Sequence, residues 1–199
     1  MRVIAGQYRS RRLQTLRGTA LRPSSDRLRE TLFNILGTAV EGAVFVDLFS
    51  GSGAVGIEAL SRGARGAIFV ENHAAGAMLI ARNLASLGIP IAAQVASGKT
   101  FAGSAEILRM DAMDALERLA KAGAHVAFVY LDPPYADTRA YEEILAFLGD
   151  SELLALGGWV IAEHRRKNEL PIVSGHLERT RVVQQGDTAL SFYRPVFAA

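Results

Sequence analysis

Six residues suited to a buried strand, Val126 to Leu131, run directly into Asp132-Pro133-Pro134-Tyr135, and no other stretch constrains the fold as tightly. Proline has no N–H and a fixed φ, so the second of two prolines cannot continue a central strand. It also confines its predecessor to extended backbone. The chain must leave a sheet here in a stiff form. The Asp132 carboxylate, the proline carbonyls and the Tyr135 ring are then held around one point at a strand's C-terminal end, where open α/β sheets bind ligands. Such a group can accept hydrogen bonds from an exocyclic amino group and stack on the ring that carries it. A strand-terminating turn with a solvated carboxylate and a packed tyrosine is the plainer alternative.

Strand-like and helical stretches alternate around this point. Strands are expected at Val44-Phe45-Val46, Ala67 to Val70, Ile107 to Asp111 and Trp159 to Ala162. Arg179 to Gln184 and Ala189 to Tyr193 form a closing antiparallel pair around Gln185-Gly186-Asp187. A first helix is expected after Pro23, with Ser24, Ser25 and Asp26 as caps and Leu28, Leu32, Ile35 and Leu36 on its apolar face. Further helices follow the glycine-rich segment at 51–56, Ala74, Ala112 and Asp137. This alternation predicts an α/β fold: a doubly wound, mainly parallel seven-stranded sheet, Rossmann-like, with helices on both faces. Residues 88–103, rich in Gly, Ala and Ser, are expected as a long loop.

Gly51-Ser52-Gly53-Ala54-Val55-Gly56 follows the first strand and opens a helix, and Glu71 lies twenty residues beyond Gly51. Alone, this pattern suits a dinucleotide as well as other nucleoside cofactors. Asp47 separates them. A carboxylate four residues before the loop repels a pyrophosphate and attracts an ammonium group. S-adenosylmethionine, with its α-amino group and sulfonium, suits Asp47, Ser50, Gly51 and Gly53. Glu71 is placed to take the ribose hydroxyls, and Asp111 the adenine amino group. Ser97-Gly98-Lys99-Thr100 looks like the end of a Walker A loop, but Ala93 stands where its first glycine is required.

The chain has no cysteine, and its four histidines lack ligand spacing, so no metal is expected. No run is suited to crossing a membrane, and a cytoplasmic monomer is expected. The net charge of +2 hides an asymmetry. Residues 1–29 carry eight arginines against Asp26 alone, which is +7 and leaves −5 for residues 30–199. A basic arm on an acidic body points to a polyanion. Residues 2–13 read as a small hairpin or extended arm, whose Arg2, Arg9, Arg11, Arg12 and Arg22 suit phosphates and whose Tyr8 suits a base. Arg22 and Arg27 equally suit bracing the first helix. The expected division is an arm over 1–22 and a catalytic domain over 23–199. His164-Arg165-Arg166-Lys167 reads as a solvated loop.

With Arg2 to Arg9, Leu21 to Asn34, Asp47 to Gly53 and Asp132 to Tyr135 in place, the sequence resembles the RsmD family, bacterial 16S rRNA guanine-N2 methyltransferases of the class I S-adenosylmethionine fold. The likeness spans nearly the whole chain. The Arg22-Pro23 to Phe33-Asn34 block is its most specific part. It implies transfer of a methyl group to one guanine of 16S rRNA, within a partly assembled small-subunit particle, at Asp132, Pro133, Pro134 and Tyr135. The same tetrapeptide suits amino-methylation of adenine or cytosine in DNA, or of a glutamine side chain. A non-catalytic RNA-binding assembly factor and, more distantly, a nicotinamide oxidoreductase are the other readings.

Overall fold

The computed structural model describes residues 1–15, 26–97, 102–134 and 137–196. Its helices are α1 (Asp26–Leu36), α2 (Ala54–Ser61), α3 (Ala74–Leu87), α4 (Ala112–Lys121) and α5 (Thr138–Asp150). The strands are β1 (Val44–Asp47), β2 (Gly66–Val70), β3 (Ser104–Leu108), β4 (Val126–Leu131), β5 (Leu154–Arg165), β6 (Val173–Ser174), β7 (Leu177–Gln185) and β8 (Thr188–Pro195). They form one sheet in the order β3-β2-β1-β4-β5-β8-β7-β6. The first five run parallel, and β8, β7 and β6 close the sheet antiparallel. The seven expected strands are present, and the two-residue β6 adds an eighth at the edge.

The apolar strand runs are continuous because both faces are covered. Phe45, Phe69, Phe128, Tyr130 and Ile161 face one core with α1, α2 and α3, whereas Val46, Val70, Val129, Leu131 and Val160 face a second core with α4 and α5. Strand order reverses between β1 and β4, which opens a crevice at their C-terminal ends.

Several boundaries differ from expectation. β3 starts at Ser104 rather than Ile107, because buried Glu106 finds a partner in the Val95 N–H at 2.9 Å and so tolerates a strand interior. At its other end Met110 and Asp111 lie outside the strand, with Asp111 capping α4. β5 begins at Leu154, continuing through Gly157-Gly158 with a register shift against β4. The 88–103 stretch is partly structured: Ile89 and Val95 are buried, and Ile91 bridges Ala105.

Residues 1–15 dock along α2 and α3 as an arm, and residues 16–22 of the expected 1–22 division lie outside the described residues. Arg2 and Arg12 form an antiparallel bridge, and Val3 and Leu13 enter the core. The arm turns at Gly6, whose φ is +79° and where a Cβ would lie 1.8 Å from the Ser61 carbonyl oxygen. Gln7 and Tyr8 N–H groups donate to the Ser61 carbonyl and hydroxyl at 2.7 and 2.9 Å. Gln14 N–H donates to Asn83 at 2.8 Å, and Asn83 donates to the Ser52 carbonyl at 2.9 Å.

Candidate active site

Each loop of the site follows a parallel strand, so the sheet sets the spacing of the side chains. Asp47 is the last residue of β1 and 1% exposed. Its Oδ2 accepts from the Gly56 N–H at 3.2 Å, and the Ser50 hydroxyl donates to its carbonyl at 2.8 Å. Burial pushes the Asp47 carboxyl up to about 7; the Gly56 N–H opposes the shift, while Glu71 and Glu163 add to it. The intervening turn needs glycine at position 51, where φ is +52° and a Cβ would meet nothing within 4 Å. That side of the loop is open and forms a cradle, with buried Asp47 at the end of the strand that leads into it.

Glu71 stands across the cradle. Its Oε2 accepts from the Gly51 N–H at 3.0 Å and its Oε1 from the His73 N–H at 2.9 Å, which fixes the carboxylate at the tip of β2. Asp111 is exposed and caps α4, its Oδ1 accepting from the Met113 N–H at 3.0 Å. Asp47, Ser50, Gly51, Gly53 and Glu71 therefore meet in one place, with Asp111 one strand further out.

Asp132 directly follows β4, next to β1 in the sheet. Pro133 is buried and Pro134 exposed, and the Pro134 carbonyl accepts from the Asp137 N–H at 2.8 Å to turn the chain toward α5. Burial holds the Asp132 carboxyl well above the usual carboxylate range, and Glu163 and Asp47 raise it further. Tyr135 and Arg22 lie outside the described residues. Arg2, Arg9, Arg11 and Arg12 are exposed on the arm. The turn of that arm sits at Ser61, the end of α2 away from the glycine loop, roughly 10 Å along the helix axis.

Besides Glu106, the buried charges of Glu163, Glu58 and Arg29 were not anticipated. Glu163 lies on β5 and accepts from the Tyr130 hydroxyl. Glu58 and Arg29 lie beneath the arm, with Arg29, not Arg27, bracing the first helix. A lone carboxylate closing an apolar strand is the signal that identified Asp47 and Glu71, and Glu163 after Trp159-Val160-Ile161-Ala162 carries it too. His164 is buried against the Ser191 hydroxyl at 2.9 Å, not solvated. Among the described residues, no cluster of three or more His, Cys, Asp and Glu is arranged to hold a metal, and no helix is long and apolar enough to cross a membrane.

Residues 1–194 match the protein family described as Conserved hypothetical protein 95. The chain is 36% identical to YlbH of Bacillus subtilis over 98% of both proteins. It is 35% identical to the ribosomal RNA small subunit methyltransferase D of Escherichia coli, covering 98% of this chain and 89% of that one. The solved structure of the Escherichia coli protein yhhF superimposes with a TM-score of 0.79 at 32% identity, covering 98% of this chain and 97% of that one. Sequence and fold agree: the chain belongs to the Conserved hypothetical protein 95 family, which is the RsmD family.

Proposed function

We propose that this protein transfers a methyl group from S-adenosylmethionine to the exocyclic N2 of one guanine in small-subunit 16S rRNA. The relative named ribosomal RNA small subunit methyltransferase D supports the RNA class. The chemistry of the cradle supports the cofactor: Asp47 suits its ammonium group, Glu71 its ribose hydroxyls and Asp111 its adenine amino group. When bound, that cofactor supplies a methyl group already activated by a sulfonium. The protein's work is then to align an amine with that methyl group and to exclude water.

The observation that carries the reading is the position of Asp132, fixed by two prolines at the end of β4 and adjoining buried Asp47 across the switch point. A guanine amino nitrogen is a poor nucleophile because its lone pair is delocalised into the ring. In our reading Asp132 accepts one of its N–H groups. The Pro134 carbonyl already serves Asp137, so Pro133 supplies the second acceptor. Together they favour tetrahedral nitrogen and stabilise the charge that develops on it. Tyr135 stacks on the extruded base, and the arm arginines hold phosphates of the same RNA.

The test supplies labelled methyl donor with either free 16S rRNA or small-subunit particles and maps the label. Label on N2 of a single guanine is expected, with the particle as the better substrate and the enzyme acting as a monomer. Label on another base or on protein refutes the reading, as does donor binding without transfer to either substrate.

A further inference from the structure

Glu163 takes no part in the reaction as set out above, yet it is 3% exposed and carries a carboxylate at the ligand end of the sheet. Leu131 and Ala162 are paired in the parallel register of β4 and β5, so Asp132 and Glu163 are the next residues level with each other. Adjacent strands lie roughly 4.8 Å apart. Alternation puts Tyr130 and Asp132 on one face of β4, and Ile161 and Glu163 on the matching face of β5. The Tyr130 hydroxyl, which donates to Glu163 Oε2, fixes that face. The Tyr141 hydroxyl holds the Glu163 carbonyl at 2.8 Å, so both backbone and side chain are anchored.

We propose that Glu163 is a positioning residue of the transfer reaction: anchored by Tyr130, its carboxylate makes Asp132 the acceptor of the proton released as the amine is methylated. The inference rests on the functional reading above. As the N–C bond forms, the bond from the methyl carbon to sulfur would break with its electron pair staying on sulfur, leaving neutral S-adenosylhomocysteine; the nitrogen is then positively charged and must lose a proton. One N–H bond breaks with its electron pair returning to nitrogen, and an O–H bond forms on Asp132. The proton leaves to solvent when the product departs. A carboxylate of ordinary basicity is a weak acceptor, and a second carboxylate beside it raises its affinity for the proton. The charged groups bearing on Asp132 are Glu163 from β5 and Asp47 from β1. Glu71, at the tip of β2, bears on Asp47, and the Tyr130 and Tyr141 hydroxyls from β4 and α5 complete the setting.

The test follows the Asp132 carboxyl by carbon-13 resonance in protein labelled at aspartate, its signal assigned by its loss in Asp132→Asn. In Glu163→Gln, which retains a partner for Tyr130 without the charge, its midpoint is expected to fall by about one pH unit or more. Glu163→Asp restores it in part. Tyr130→Phe, which removes the hydroxyl that anchors the Glu163 carboxylate, moves the midpoint in the same direction and serves if Glu163→Gln does not fold. Single-turnover methylation by Glu163→Gln is expected to slow roughly tenfold with RNA affinity unchanged, its acid limb moving with the Asp132 midpoint. An unmoved midpoint in a folded Glu163→Gln or Tyr130→Phe protein overturns the inference, as does a moved midpoint with unaltered rate and limb. The titration needs neither RNA nor donor. A shifted midpoint in a protein that methylates no guanine would therefore refute the functional reading and leave the electrostatic coupling standing.

Discussion

Glu58 accepts from the Ile4 and Ala5 N–H groups at 2.8 and 3.0 Å and from Arg62 Nε at 2.9 Å, while Arg29 Nε stands 3.8 Å away. Arg29 also donates to the Arg2 carbonyl at 2.6 Å and to Asp26 at 3.0 Å. Its Nε and Nη1 make no hydrogen bond among the described residues, so the attraction to Glu58 is that of nearby charges rather than a fitted fork. Removing one partner of a buried pair leaves the other uncompensated, so Arg29→Met should lower stability by ~3–5 kcal/mol in urea unfolding. Arg27→Met, two residues earlier and exposed, should change it by no more than ~0.5 kcal/mol. Equal effects would mean that the buried cation is dispensable. Asp132→Asn should behave in the opposite way. The folded protein disfavours the charged carboxylate, so the amide is tolerated at neutral pH and the variant melts no lower than the parent. Donor binding is retained, while methyl transfer falls ~10²-fold or more. Near-normal transfer would remove Asp132 from the chemistry.

The arm joins sequence to function through two separate properties, its docking and its charge. Docking turns on Gly6: an alanine there must hold a positive φ and place its Cβ inside the Ser61 carbonyl oxygen. Gly6→Ala should release the arm and open Arg9, Arg11 and Arg12 to trypsin within a fold that otherwise persists; unchanged cleavage would show that α2 yields instead. Charge is tested by replacing those three arginines with glutamine. RNA affinity should weaken, and the slope of log affinity against log salt should flatten by about 0.7 for each single-strand phosphate that is no longer neutralised. An unchanged slope would mean that the three cations neutralise no phosphate. Arg9 belongs to the turn at the far end of α2, so its share of the effect belongs in binding and not in the rate of transfer. The arm was legible as an element, since its short alternating bursts are strand-like. Its seat was not. Glu58 lies within the apolar helix AVGIEALS and Arg29 three residues past Asp26, the first residue of α1, and only the docked backbone shows that the two charges meet beneath the arm.

Over the whole molecule, hydrophobic runs ending in a carboxylate revealed the strand tips, and thereby the cleft, because buried parallel strands permit charge only where they emerge. Such runs could not reveal β3's true start, where a strand carries Glu106 paired with the Val95 N–H, a partner that strand periodicity does not reach. Nor does linear sequence show that Asp47, Asp132 and Glu163 converge from three adjacent strands. That convergence gives the ligand-free protein a pH dependence of known sign. The folded-state carboxyl of Asp47 is raised from 3.8 to about 7, so the folded chain binds this proton more tightly than the unfolded chain. Stability from this group is fully present below about pH 4 and is lost as pH rises toward 7. Three units at ~1.4 kcal/mol each set an upper limit of ~4 kcal/mol. Asp47→Asn does not titrate, so its stability relative to the parent should climb across that window, measured by urea unfolding at pH 4, 5, 6 and 7. A cation in the cleft reverses the preference by favouring the ionised carboxylate. S-adenosylmethionine should therefore bind with proton release below pH 7, raise Tm more at pH 8 than at pH 5, and lose that dependence in Asp47→Asn. Calorimetry in buffers of different ionisation enthalpy measures the released protons directly. A proton count of zero at pH 6, with Tm shifts that ignore pH, would mean that the ammonium group of the cofactor is held elsewhere than at Asp47.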